Sequence, residues 1–183
     1  MAHDPLLLER LSGFPTAAFE GEVYRATRRS LDPLAPSTRG GRWARPNGPS
    51  VLYTSLERDG ALAEIAFHWS QLTPIPTKPA RVHRMRVRAG KTLRLVEADL
   101  AALGVDFGAY GAVNYSRTQE IGSAVAWLGR DGLRVPSARW DCENMVLFTS
   151  NQGSDVALDL LVSEEIDWRA WAQAHGFLSD TSR

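Results

Sequence analysis

The stretch Gly40–Trp69, GGRWARPNGPSVLYTSLERDGALAEIAFHW, carries the reading on which the fold turns. Val51–Ser55 (VLYTS) is a short run with a β-branched start and an aromatic centre, which predicts a strand. From Glu57 to Gln71 the pattern becomes helical. Leu62, Ile65 and Trp69 make one stripe, and Ala63, Ala66 and Phe67 leave its flanks apolar as well. A helix that is apolar nearly all round packs inside a protein. Ahead of the strand runs a turn-rich loop, Ser30–Ser50, with four prolines. Loops this long within a compact domain are functional or disordered, and Trp43 among several arginines argues for order.

Working outward, Asp4-Pro5 is an N-cap and first-turn signal that opens a short helix through Leu6–Leu11. Gly21–Arg28 (GEVYRATR) reads as a strand. Arg81–Arg88 and Lys91–Val96 read as two strands about an Ala89-Gly90 turn. Ser116 and Gln119 have the spacing of a capping box, heading a helix whose stripe is Ile121, Ala124, Val125 and Leu128 and which ends at Gly129–Gly132. Short strands are expected at Leu133–Val135, Asn144–Thr149 and Val156–Val162, and a last helix carries Trp168, Trp171 and Ala172. No repeat with a period of roughly 20–50 residues occurs. No linker divides the chain. Helices and strands mixed without regular βαβ alternation predict an α+β fold, with residues 1–183 forming one domain.

Composition narrows the function. The 183 residues include six Trp, six Phe and four Tyr, enough large apolar anchors for a core without disulfide staples. Lys plus Arg (21) equals Asp plus Glu (21), so no whole-molecule field draws nucleic acid or anionic lipid to the surface. The charges are nonetheless segregated. Lys78, Arg81, Arg84, Arg86, Arg88, Lys91 and Arg94 fall together, as do Asp141, Glu143, Asp155, Asp159, Glu164, Glu165 and Asp167. Alternation in VHRMRVR explains the arginines as one face of a strand, and solvated faces of opposite sign are the plain reading. Cys142 is the sole cysteine, which suits a reducing cytoplasm. The first residues lack a basic leader, so no signal peptide is expected. Gly60–Thr77 contains Glu64, His68, Gln71 and two prolines, and so does not read as a membrane span.

Several constellations are missing. G-x-G-x-x-G, G-x-x-x-x-G-K-[ST] and G-x-S-x-G do not occur, and His3, His68, His83 and His175 lack metal-ligand spacing. No metal site is expected. What stands out instead is Glu64, the only formally charged residue from Gly60 through Thr77. A carboxylate on a buried helix is costly unless it is paired or put to use; a structural ion pair with an arginine and a catalytic role are equally open. His68, one turn on, reads more readily as a satisfied histidine at the core or rim. Gly40-Gly41 lets backbone approach a ligand closely, and Arg42 has a fork suited to phosphate or carboxylate; a surface turn with a stacked Arg–Trp pair is the competing reading. Tyr24, Arg25 and Tyr53 lie on strands flanking this loop and helix, where Tyr53 is either a core tyrosine or part of the same cleft. Ser137, after a proline at a strand end, is either a turn serine or a hydroxyl aimed by rigid backbone.

Together VYRATR, GGRWARPNGPSVLYTSLERDGALAEIAFHW and TQEIGSAVAWLGRDGLRVPSARWDCENMVLF, in order from about Val23 to Phe148, resemble the RES domain, a bacterial toxin family named for its Arg, Glu and Ser. The resemblance implies a fold similar to the ADP-ribosyltransferases of the diphtheria-toxin kind. It implies a toxin that degrades NAD⁺ by hydrolysis or phosphorolysis of the nicotinamide–ribose bond, with Arg42, Glu64 and Ser137 as the family's Arg, Glu and Ser. Arg25, Tyr53 and Tyr24 then belong to the substrate pocket. NAD⁺ is a substrate in this reading, so no bound cofactor is implied, although inorganic phosphate is a candidate co-substrate. The resemblance also implies a separately encoded antitoxin with a helix-turn-helix (Xre-like) region, through which alone the toxin meets nucleic acid. Two alternatives remain: mono-ADP-ribosylation of a cellular protein, and a non-enzymatic nucleic-acid-binding module built on the Lys78–Arg94 segment.

Overall fold

In a computed structural model, which describes residues 3–37, 39–153 and 157–179, the chain forms five α-helices, two single-turn 3-10 helices and six strands among the described residues. Helix α1 (Pro5–Gly13) is capped by the Asp4 carboxylate, which accepts from the Leu6 N–H at 3.0 Å. Strand β1 (Thr16–Arg28) starts earlier than the sequence suggests. After the long loop come β2 (Val51–Ser55) and α2 (Arg58–Ser70), and then β3 (Ala80–Arg94). Helices α3 (Glu97–Ala102) and α4 (Ser116–Trp127), strands β4 (Gly132–Pro136), β5 (Glu143–Phe148) and β6 (Ala157–Ile166), and helix α5 (Trp168–Ala174) complete the chain. The expected start of the last strand, Val156, lies outside the described residues. Among the described residues no helix is long and apolar enough to cross a membrane.

The strands follow the order β1-β2-β5-β4-β3-β6, and β1 also pairs with β3, so five of them close on themselves. Antiparallel pairing dominates; β3 and β4 alone run parallel. Alternation of side chains along each strand then separates two sets. Val23, Leu52, Met85, Val87, Ala89, Met145 and Leu147 meet in an inner cluster. Val51, Leu93, Leu133, Val135, Val146 and Phe148 face outward, where α1, α3, α4 and Trp43 cover them. Ile65, Ala66 and Trp69 of α2 pack with Trp168 and Ala172 of α5 in a third cluster.

Two sequence expectations are corrected. The Ala89-Gly90 turn does not exist: β3 is one long strand. The Gly90 and Lys91 N–H groups donate to the buried Asp131 carboxylate at 2.7 and 2.9 Å, which carries the strand from its pairing with β6 to its pairing with β4. The Ser116/Gln119 capping box does not form either. Tyr115 is the N-cap, the Ser116 hydroxyl donates to the Asn114 carboxamide oxygen at 3.0 Å, and the Gln119 amide reaches the long loop at Gly41 instead.

The segregated charges meet each other. On β3, Arg84 pairs with Glu22, Arg88 with Glu20 and Arg81 with Glu165, while Arg94 reaches Glu143. Most of these pairs are half-exposed and contribute ~0–1 kcal/mol each. Glu143 is the tighter case: burial pushes its carboxyl up, but hydrogen bonds from Arg94 and Arg134 outweigh that and hold it below the usual range. The basic strand is thus largely occupied with the chain's own acids.

Candidate active site

The long loop is shaped by glycines and one indole. Gly40 sits at φ +80°, a conformation glycine adopts without steric cost, and the Gly41 N–H closes a turn onto the Ala44 carbonyl at 2.8 Å. A Cβ on Gly41 would lie 2.8 Å from the Tyr53 hydroxyl, so the second glycine exists to let that ring in. Trp43 is 2% exposed and anchors the loop in the core beneath α4. Its backbone N–H donates to the Tyr53 hydroxyl at 3.2 Å, and the Gln119 amide donates to the Gly41 carbonyl at 2.9 Å. Burial pushes the Tyr53 phenol up to about 12, against the pull of hydrogen bonds from the Trp43 and Ala44 backbone. Tyr53 is therefore a neutral scaffold for the loop.

Arg42, held by this loop, lies with its guanidinium carbon 4.6 Å from the ring centroids of both Tyr110 and Tyr115. The expected stacking partner, Trp43, is instead in the core. Cation–π contact with two rings holds the fork, and among the described residues its one protein hydrogen bond is a long one, 3.5 Å, to the Ala112 carbonyl. Burial pushes the Arg42 pKa down; Tyr110 and Tyr115 pull it back, Arg139 lowers it and Glu64 raises it. The Tyr110 hydroxyl donates to the Pro136 carbonyl at 2.8 Å, which ties this arginine clamp to the residue before Ser137.

Glu64 projects from the middle of α2 and is half-buried. The ion pair that the sequence left open is absent: no Lys or Arg pairs with Glu64 among the described residues. Its Oε1 accepts instead from the Ser137 hydroxyl at 3.2 Å and from the Asn144 carboxamide nitrogen at 3.0 Å. Ser137 is itself fixed, because its N–H donates to the Cys142 carbonyl at 2.8 Å and its oxygen accepts from the Arg139 N–H at 3.2 Å. One carboxylate oxygen is thus oriented by two neutral donors, and the other accepts no bond from a described residue. The negative charge is positioned but not neutralised.

Sequence reasoning placed Arg42, Tyr53, Glu64 and Ser137 as candidates, and the structure brings them into one neighbourhood. Arg25 is elsewhere. On β1 it shares a face with Val23 and Thr27, opposite to Tyr24 and Ala26, and Ala26 is the residue that packs with α2. Its guanidinium donates to the Pro33 and Ala35 carbonyls at 2.7 and 2.8 Å, so it holds the root of the long loop. Burial lowers its pKa and Asp32 raises it. Tyr24 stands opposite Ser55 in the β1–β2 pairing, on the α2 face. Four residues near Glu64 and Arg42 went unread: Asn144, Arg139, Tyr110 and Tyr115. Asn144 carried a signal, a lone amide in the apolar strand ENMVLF; the two tyrosines lie in a segment with no helical or strand period.

His68 reports on this charge arrangement. It lies one turn beyond Glu64, with its ring edge-on to Phe67 at 5.4 Å. Desolvation lowers its pKa, Glu64 raises it, and Arg139 and Arg42 lower it further. A carboxylate favours the imidazolium and a guanidinium disfavours it. In an NMR titration of the full chain, Glu64→Gln is therefore expected to move the His68 pKa further down, and Arg139→Gln to move it up. A His68 titration unchanged in both variants would mean these charges are not neighbours.

Taken together, a cationic fork lies within electrostatic reach of an oriented, unpaired carboxylate. Such a pair suits a ligand with an anionic portion and a centre that becomes electron-poor during reaction. Among the described residues no group of His, Cys, Asp and Glu is arranged to hold a metal ion.

The RES domain family profile matches residues 21–170. No curated protein sequence matches the chain. Among solved structures, the crystal structure of the M. tuberculosis MbcT–MbcA toxin–antitoxin complex contains a chain that superposes with a TM-score of 0.78 at 20% sequence identity, covering 96% of the present chain and 100% of that one.

Proposed function

The chain belongs to the RES domain family, and from that premise we propose that it is the toxin of a toxin–antitoxin pair and acts in the cytoplasm by cleaving the nicotinamide–ribose bond of NAD⁺. The observation that carries this reading is the Glu64 carboxylate, oriented by Ser137 and Asn144 and left without a cation. When the bond from ribose C1′ to the pyridinium nitrogen breaks, both electrons go to the ring and nicotinamide leaves as a neutral base. The sugar is left with oxocarbenium character. Glu64 offsets that charge and accepts hydrogen bonds from the ribose hydroxyls, the role carboxylates play in glycoside hydrolysis.

Ser137 and Asn144 keep the carboxylate in place without quenching it. Arg42 grips the diphosphate, where a bidentate guanidinium contact is strong, and Tyr53 walls the nicotinamide end. A water oxygen then adds to that anomeric carbon and releases a proton, giving ADP-ribose; inorganic phosphate in place of water gives ADP-ribose 1″-phosphate. Support for a protein partner comes from the structural neighbour, which is part of a toxin–antitoxin complex. The proposed partner here is a helix-turn-helix antitoxin that occludes the site.

The test is product analysis with adenylate-labelled NAD⁺, in the presence and absence of phosphate and of cell extract. Free labelled ADP-ribose, or its 1″-phosphate when phosphate is supplied, is the expected result. Label attached to a protein, with little free product, would replace this reading by ADP-ribosyl transfer at the same site. Intact NAD⁺ under every condition would overturn both.

A further inference from the structure

Arg139 is a half-buried cation whose guanidinium the protein satisfies only in part. Its Nε and Nη2 are buried with no acceptor among the described residues. One face of its guanidinium lies 3.3 Å from the Phe67 ring centroid, and Nη1 donates to the Gly111 carbonyl. No carboxylate pairs with it or with Arg42 among the described residues. Removing a charge from water without a counter-charge is costly, so an arginine kept in this state calls for an anion from outside the chain.

Both arginines are held by one short segment. Gly111 supplies a carbonyl to Arg139 and Ala112 supplies one to Arg42, while Tyr110 and Tyr115 flank the Arg42 guanidinium. Residues 111–114 are exposed, with Val113 at 68%. A neutral carbonyl dipole per guanidinium is a weak substitute for a charge-assisted pair. The Arg139 backbone N–H meanwhile donates to the Ser137 hydroxyl that holds Glu64, which roots this side chain two residues from the serine at the reacting end. Arg25, the arginine the sequence offered as a second fork, is occupied on the other face of β1.

We infer that Arg139 and Arg42 together form a two-guanidinium subsite for a diphosphate, which displaces the Gly111 and Ala112 carbonyls and lifts the 110–115 segment as the substrate enters. The inference rests on the NAD⁺ reading and adds a specificity residue to it. Arg139 distinguishes substrates with a diphosphate from those without.

The experiment compares the full chain with Arg139→Gln and Arg139→Lys in calorimetric binding of ADP-ribose and in turnover of NAD⁺ and of nicotinamide riboside, which lacks the diphosphate. Losing a charge-assisted contact changes binding by ~10–100-fold. For Arg139→Gln, ADP-ribose affinity is expected to fall by that factor, mirrored in KM for NAD⁺ more than in kcat. The preference for NAD⁺ over nicotinamide riboside, as a ratio of kcat/KM, should shrink accordingly. Arg139→Lys should recover little of the loss, because an ammonium lacks the fork. ADP-ribose affinity within about 2-fold of the unaltered chain would overturn the inference. So would an equal loss on both substrates with a lowered Tm, the mark of a structural role. Arg139-dependent ADP-ribose binding without nicotinamide release would sink the cleavage reading and leave this subsite standing. Nicotinamide release indifferent to Arg139 would do the reverse.

Discussion

Glu64→Gln is expected to slow nicotinamide release from NAD⁺ by ~10²–10³-fold, the usual cost of removing one positioned electrostatic group, while the protein stays folded. The amide keeps the shape of the side chain and can still accept from Ser137 and Asn144 through its oxygen. What it loses is the negative charge, and its nitrogen donates where the free carboxylate oxygen accepted. Neither change helps an electron-poor sugar. Stability should hardly move, because the partners of Glu64 are neutral. Were Glu64 one half of a buried ion pair, breaking it would cost ~3–5 kcal/mol and the variant would melt early. Steady-state nicotinamide release and a thermal melt on the same preparation separate the cases. Full turnover would contradict the assigned role, and an early melt would return Glu64 to a structural one.

Gly122→Ala is expected to have the largest effect on stability. Gly122 lies where α4 crosses the arginine-bearing loop. A Cβ there would stand 2.7 Å from the Trp43 carbonyl carbon, 3.0 Å from its Cα, and closer still to its oxygen. The obstacle is backbone on both sides, so no rotamer change relieves it. Forcing an extra carbon into a packed interface costs ~1–3 kcal/mol, occasionally more. In a protein of this size each kcal/mol lowers Tm by about 2–4 °C. Relief would push Trp43 out of its place in the core and carry Arg42 with it, so ADP-ribose binding should weaken as well. Gly13→Ala is the control: a Cβ at Gly13 meets nothing within 4 Å, and its stability should stay within ~0.5 kcal/mol of the unaltered chain. Equal melting of the two variants would mean that α4 and the loop do not meet as described.

The strand–helix core of the site was legible because it is local. Val51–Ser55 is observed as read, and the helix predicted over Glu57–Gln71 differs only in that its two end residues are the caps. An isolated acid on an apolar helix is visible in any sequence, and so was Glu64. Its partners were not, since Ser137 and Asn144 lie 73 and 80 positions away and reach it only when β4 and β5 pair. Arg25 shows a finer limit. Parity along VYRATR sets Arg25 against Tyr24, but which face meets α2 depends on β1 pairing with β3, a long-range fact. Gln119 was misread because its local option, capping α4, lost to the Gly41 carbonyl across the fold. Tyr110 and Tyr115 lie in a segment without periodicity, and nothing local marks a tyrosine whose ring will meet an arginine from another loop.

All of this converges on one arrangement: Glu64 at the bond to be broken and Arg42 at the phosphates. A crystal structure of the Glu64→Gln variant soaked with NAD⁺ examines it most directly. The expected result is intact NAD⁺ with its nicotinamide ribose against position 64, close to Ser137 and Asn144, and its diphosphate on Arg42. NAD⁺ seated elsewhere on the molecule, or bound with its phosphates at position 64 and its nicotinamide ribose away from Ser137, would contradict the account.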